Sequence, residues 1–389
     1  MATFARVRFI KAVKIFDGAH YLPLSSVVVL KDGKILEVTN TEAVPSEKIE
    51  ILDGILTPGF INAHCHLELS HLRGRLHRGT GFCEFASELM TERDAQPLHV
   101  RHAAMQTAIE EMSRNGIAAA GDISNTAESF PVKQADKSIY FHTFIELIGL
   151  NPDMAARVFS GGKALLDQLF KSGLQGSLTP HAPYSVSDDL LSCVADHNRA
   201  ALAPISIHCQ ESLEETRFFK GEACKVHDLY RKLNIDISFY KPPGRSSLFH
   251  ILAFLRDSNP LLVHNTFATA EDVEYAAGQG ASWCFCPKAN LFIEGSQPDY
   301  SLFRDHARRV CVGTDSLASN DSLDLLSELN IIAEASVFTE EQLLAMICSN
   351  GADALSIDDR FGHLSPGTRP GLNLLKRHGT KFELVKVIS

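Results

Sequence analysis

The chain lacks most of the features that would place it outside the ordinary globular enzymes. Its start carries no apolar stretch of signal-peptide form, and no segment is long and apolar enough to span a bilayer, so neither a secreted nor a membrane protein is expected. Cationic residues are in deficit, 37 Lys and Arg against 47 Asp and Glu, for a formal net charge of -10. Phosphate affinity needs the opposite balance, so nucleic acid is not an expected partner and the acidity reads as solubility. The nine cysteines follow no spacing framework, which fits reduced thiols in a cytoplasmic protein. Internal repeats and low-complexity linkers are absent. So is the glycine-rich phosphate loop that a doubly wound sheet places after its first strand; histidines stand there instead.

What is present suits a large α/β enzyme. A chain of 389 residues that is 45% hydrophobic can bury one big core and carry a smaller appendage. Strand-like runs at 6–10, 26–30 and 35–38, with Asp32-Gly33 as a tight turn, are matched at the far end by 371–375 and 382–388. Neither end has enough strands for its own core, so the two termini are expected to meet in one small β-sandwich, residues 1–56 with 364–389. Between them, buried-strand candidates recur at 56–66, 117–123, 139–148, 175–181, 204–208, 260–264, 281–286 and 309–315, each followed by helix-like sequence. A helix is expected over 100–114, ending at Gly116, and Thr339 with Gln342 forms a capping-box pattern opening another. Eight alternations predict a (β/α)8 barrel of TIM type over residues 57–363.

The polar residues at the strand ends carry the chemistry. His64 and His66 close an apolar run one residue apart, so both imidazoles project from the same face of a strand while Cys65 points away. Further strands end in His181, His208 and His264, and the last in Asp315. Catalytic groups of such a barrel sit at these carboxyl ends. Three histidines, one carboxylate and an open position suit Zn²⁺, or Fe²⁺, with a bound water. Glu211 stands three residues past His208, where the strand turns into loop and a carboxylate can reach that water. Asp122 and Glu146 also end strands, and either support the ligands or fill the polar layer of the barrel. Cys284 and Cys286 read as buried thiols.

Five segments in order make the sequence resemble the amidohydrolase superfamily, in its branch of mononuclear-metal deaminases and chlorohydrolases of heterocyclic rings. They are Pro58-Gly59-Phe60-Ile61-Asn62-Ala63-His64-Cys65-His66-Leu67-Glu68, His208-x-x-Glu211, Val263-His264-Asn265, Cys286-Pro287-Lys288-Ala289-Asn290 and Gly313-Thr314-Asp315-Ser316. The resemblance implies that His64, His66, His208 and Asp315 bind one divalent metal ion. It implies that Glu211 shuttles protons to the ring, that His264 hydrogen-bonds the attacking hydroxide, and that His181 faces the substrate. Asp315 would also take the water proton and pass it to departing ammonia.

The expected substrate is a small heterocycle, first an adenosine-like nucleoside of the aminodeoxyfutalosine kind. Glu68 can accept from ribose hydroxyls or be a solvated loop charge. Arg73, with Arg75 and Arg78 close behind, can receive a substrate carboxylate or be merely solvated, and Ser316 is placed with the substrate-binding residues. Phe82, Phe85, Phe218 and Phe219 wall an aromatic pocket or pack as core. The long stretch between Glu211 and the sixth strand is expected to cap the site and choose the substrate. Alternatives are a guanine, pterin or triazine deaminase, a chlorohydrolase and a ring-amide hydrolase of the imidazolonepropionase type, with a non-catalytic scaffold last. A homodimer is compatible with all of these.

Overall fold

A computed structural model describes residues 7–388. Its strands are β1 (Val7–Ile15), β2 (Ser26–Lys31), β3 (Lys34–Asn40), β4 (Ile49–Pro58), β5 (Phe60–Cys65), β6 (Ile117–Ser124), β7 (Tyr140–Leu147), β8 (Gln175–Pro180), β9 (Ser206–Cys209), β10 (Leu261–His264), β11 (Ser282–Phe285), β12 (Val310–Val312), β13 (Leu372–His378) and β14 (Lys381–Ile388). They form one six-stranded sheet in the order β14-β13-β4-β1-β2-β3 and two four-stranded sheets, β5-β6-β7-β8 and β12-β11-β10-β9. Both four-stranded sheets are wholly parallel.

β13 pairs with β4, which joins the last strands to the first in one sheet. The six-stranded sheet has its own apolar layer, including Ile10, Val28, Leu30, Ile35, Leu56, Leu372, Leu374 and Ile388. The run 56–66, read from sequence as one strand, is two. The chain leaves the six-stranded sheet at Pro58 and enters the parallel one at Phe60, with Gly59 as the crossing. A Cβ on Gly59 would come within 2.6 Å of both Ala118 Cβ and Pro370 O, so only glycine lets the two sheets approach here.

The strands of the parallel sheets are buried on both faces, which is why their sequences read as unbroken apolar runs. Helices follow them. The helix expected over 100–114 spans Leu98–Arg114 and buries Met105, Ala108, Ile109 and Met112, residues at helical spacing. Gly116, at φ 79°, turns the chain back into β6. The capping box is formed: Gln342 N donates to Thr339 Oγ1 and Thr339 N to Gln342 Oε1, opening the helix Glu340–Met346.

The two parallel sheets touch at both margins. At one, Cys65 bridges to Asp315, and the amides of Thr314 and Asp315 donate to His64 O, each at 3.1 Å. Asn62 reinforces this margin, donating to Thr314 Oγ1 and accepting from Thr314 N. At the other, Ser206 N donates to Thr179 Oγ1 and His208 N to His181 O. These contacts bring the carboxyl ends of β5, β8, β9, β10 and β12 to one place.

Candidate metal centre and active site

Four donor atoms converge there from three strand ends. His66 Nε2 lies 3.1 Å from His64 Nε2 and 3.3 Å from His208 Nε2. Asp315 Oδ1 lies 3.3 Å from His66 Nε2 and 3.6 Å from His64 Nε2. Lone pairs at such separations repel unless a cation or shared protons lie between them. A tetrahedral ion with bonds of about 2.0–2.1 Å would set its ligand atoms about 3.3 Å apart. The residues therefore fit a divalent ion of zinc type.

Protonation states agree with that fit. Burial, with the neighbouring imidazoles, lowers His66 to about 3 and His208 well below the ordinary histidine value, so both rings are neutral, the form that ligates. His208 Nδ1 donates to His181 O at 2.8 Å, which leaves its Nε2 lone pair aimed at the cluster. Burial alone would push the Asp315 carboxyl up, but the imidazoles of His64, His66 and His264 hold it well below the usual carboxylate range. Its second oxygen accepts from Ser319 Oγ at 2.5 Å.

Glu211 and His264 stand beside this cluster. His264 Nδ1 donates to Asn290 Oδ1 at 2.8 Å, and its Nε2 lies 3.6 Å from Glu211 Oε1. Burial pushes the Glu211 carboxyl up to about 7; His264 pulls it down, while Asp315 and Glu294 push it further up. A carboxyl half protonated at neutral pH can donate and accept a proton. His264 itself, at φ 74°, and Gln210, Asn265 and Asp315 at φ 52° to 54° all hold left-handed backbone. Non-glycine residues seldom adopt it, and such strain gathers where side chains must be aimed.

The other sequence candidates divide. His181 adjoins the cluster, its ring centroid 5.0 Å from that of His208, and its Nδ1 is bound to Ser185 Oγ. Glu68 is buried, not solvated: Asn125 N and Thr126 Oγ1 donate to it, and burial pushes its carboxyl up to about 7. Ser316 is buried with its Oγ 3.1 Å from Ser319 Oγ, behind Asp315. Arg73 does not join the group; it lies on the surface, paired with Glu111 at 2.5 Å, and Arg75 is likewise exposed against Glu92. Asp122 is wholly buried and takes the ammonium of Lys133, while its Oδ1 accepts from Leu67 N at 2.7 Å, just past His66. Cys284 and Cys286 are buried among Ala63, Val263 and Cys311.

Ser319, Asn125 and Lys133 escaped the sequence reading. Asn125 directly follows β6, and Lys133 and Ser319 follow β6 and β12 by several residues; nothing in the local pattern marks any of them. Asn290 lay inside a quoted motif, yet only the fold shows that it orients His264. The four phenylalanines are core, but of a particular kind. They join Leu69, Leu72, Tyr184, Tyr230, Ile293 and Ala318 in a separate apolar cluster, all drawn from segments after the carboxyl ends of β5, β8, β9, β11 and β12. The helices Leu213–Lys220 and Lys225–Lys232 of the long insertion supply much of it.

Parallel strands that deliver imidazole and carboxylate donors to one point, with a protonatable carboxyl beside them, make a hydrolase-type site that could hold a metal ion. The protein's family is shown by sequence: the amidohydrolase family model matches residues 55–388, and the chain belongs to that family; with its deaminase-named relatives this makes it a hydrolase of carbon–nitrogen bonds. It is 27% identical over 359 residues to an adenosine deaminase of Helicobacter pylori, covering 89% of this chain and 86% of the relative. It is 26% identical over 297 residues to an aminodeoxyfutalosine deaminase of Deinococcus radiodurans, covering 73% and 69%. Among solved structures it resembles Helicobacter pylori aminofutalosine deaminase in complex with methylthio-coformycin, with a TM-score of 0.81 and 25% identity over 95% of this chain and 92% of that one. The fold is shared with a zinc-bound adenosine deaminase of Xanthomonas campestris, at a TM-score of 0.74 and 21% identity over 95% and 84%. Among the described residues, no helix is long and apolar enough to cross a membrane.

Proposed function

We propose that this protein is a metal-dependent hydrolytic deaminase of an adenosine-like purine nucleoside, releasing ammonia. His64, His66, His208 and Asp315 would hold one divalent ion, zinc before iron. Such an ion would supply Lewis acidity, making a water available as hydroxide at neutral pH. The remaining work falls to this chain's own groups. His264, fixed by Asn290, orients the oxygen that attacks the amino-bearing ring carbon. Glu211 donates its proton to the adjacent ring nitrogen, so that no negative charge builds on the heterocycle. Asp315 carries the water proton to the leaving amine. As the carbon–nitrogen bond breaks, the adduct's hydroxyl proton returns to Glu211, ammonia departs and the ring keeps a carbonyl. His181, beside His208, would face the substrate ring.

The observation that carries this reading is the placement of the buried Glu211 carboxyl, 3.6 Å from His264, beside the four-donor cluster. A binding scaffold has no use for such a group, and the named deaminase relatives favour a purine nucleoside over a triazine or pterin. We read the two parallel sheets as halves of a (β/α)8 barrel over residues 57–363, and the six-stranded sheet as a small β-sandwich of residues 1–56 and 364–389. The nine unpaired cysteines suit a reducing, cytoplasmic setting.

The test is ammonia release by zinc-loaded protein from a panel of purine nucleosides, free bases, pterins and triazines, with elemental analysis of the same sample. Adenosine-like nucleosides should lead the panel with one metal per chain. Turnover confined to triazines or pterins would overturn the substrate assignment, and no ammonia from any compound would overturn the activity.

A further inference from the structure

The mechanism uses neither Glu68 nor Glu146, two buried carboxylates that close one side of the site. Asn125 ties them together: its backbone amide donates to Glu68 Oε2 at 3.1 Å, and its side-chain amide to Glu146 Oε2 at 2.8 Å. Glu68 is further satisfied by Thr126 Oγ1 at 2.8 Å. Glu146 is not. It is 7% exposed, and its Oε1 is buried and finds no hydrogen-bond partner among the described residues. His208 Nδ1 is 3.6 Å away and gives its proton to His181 O instead. A buried carboxylate oxygen without a donor is costly, and native structures keep such a group where a ligand completes it.

The position of Glu146 indicates what that ligand offers. Glu146, His181 and His208 place ligating atoms within 4.8 Å of one another, on the Nδ1 side of His208. Glu211 lies on another side, beside His264. An adenosine-like nucleoside has two kinds of donor, the exocyclic amine and the ribose hydroxyls. The amine must lie where the carbon–nitrogen bond is cut, by Glu211 and His264. That leaves the hydroxyls for the carboxylate beside His181.

We infer that Glu146 is a specificity-determining residue, accepting a hydrogen bond from a ribose hydroxyl of the substrate. This rests on the nucleoside reading above. Because the acceptor is buried and otherwise unpaired, a substrate without the hydroxyl leaves it uncompensated, and discrimination against that substrate is strong.

Two measurements test it: kcat and KM for adenosine and for 2′,3′-dideoxyadenosine, on wild type and on Glu146→Gln. Wild type should favour adenosine at least about tenfold in kcat/KM, the size of a hydrogen bond to a charged group. In Glu146→Gln the amide must turn its oxygen to Asn125, so it presents N–H where the acceptor stood. KM for adenosine should then rise about tenfold, kcat should stay within about twofold, and the preference over the dideoxy compound should collapse. Metal content should match wild type. Equal kcat/KM for the two nucleosides in wild type, or an unchanged ratio in Glu146→Gln, overturns this inference and leaves the deaminase reading standing. Ammonia from neither compound overturns both. If Glu146→Gln does not fold, the wild-type ratio alone decides.

Discussion

At the scale of single residues, the proposed hydrolysis turns on Glu211. Its carboxyl sits at about 7 chiefly because it is buried, with Asp315 and Glu294 adding to the shift and His264 opposing it. The proton donor is the protonated form, so kcat should hold below pH 7 and fall about tenfold per unit above it. Glu211→Gln keeps the shape and removes the transferable proton. It should lower kcat by roughly 10²–10⁴ with metal content unchanged, as read by a pH–rate profile and elemental analysis. Wild-type turnover in the variant would remove Glu211 from the chemistry. By contrast, Arg73 looked suited to a substrate carboxylate from sequence, yet lies on the surface against Glu111. A charge on a loop says little about which way the loop faces.

At the scale of elements, the strand ends explain why the donors converge. Asn62 on β5 clasps Thr314, and the amide of Asp315 donates to His64 O, so the first and last parallel strands are locked with their donor side chains adjacent. Behind β5, the wholly buried Lys133 pairs with Asp122, which in turn accepts from the amide of Leu67. Lys133 also donates to Ser124 Oγ and Thr143 Oγ1, linking β6 and β7. Removing one partner of a buried pair leaves the other charge uncompensated. Lys133→Met should therefore cost about 3–5 kcal/mol, measured as a fall in the urea midpoint. The double variant Lys133→Met with Asp122→Asn should recover part of that loss. A Lys133→Met protein as stable as wild type would mean that the pair is not desolvated.

At the scale of the whole molecule, the four donors come from β5, its following residue, β9 and the turn after β12, segments up to 251 positions apart in sequence between His64 and Asp315. An unfolded chain cannot hold them together, so a metal held by these donors would bind the folded state alone and add its binding free energy to stability. At a thousandfold excess over the dissociation constant, that is about 4 kcal/mol. Chelation should lower the melting temperature by several degrees in a calorimetric scan, and one equivalent of zinc should restore it together with activity. His208→Ala should melt at one temperature with or without chelator. A wild-type scan indifferent to chelator would show that these residues hold no metal.

Local chemistry was enough to locate the strands, the histidines that end them and the Glu211 unit, because side-chain alternation along a strand and burial on both faces leave their mark within five to ten residues. The Thr339–Gln342 capping box was equally legible, being an interaction three residues long. The sequence could not show that 56–66 breaks at Gly59, since the reason is a backbone 311 positions away at Pro370. Nor could it distinguish a solvated Glu68 from one buried under Asn125, or show that Glu146 has an oxygen left over. Which residues carry reactive groups is thus set by neighbours along the chain. Which of those groups share a low-dielectric space, and which remain unpaired there, is set by contacts between distant segments. Only packing removes water, and that removal decides both the proton affinity of Glu211 and the demand of Glu146 for a donor.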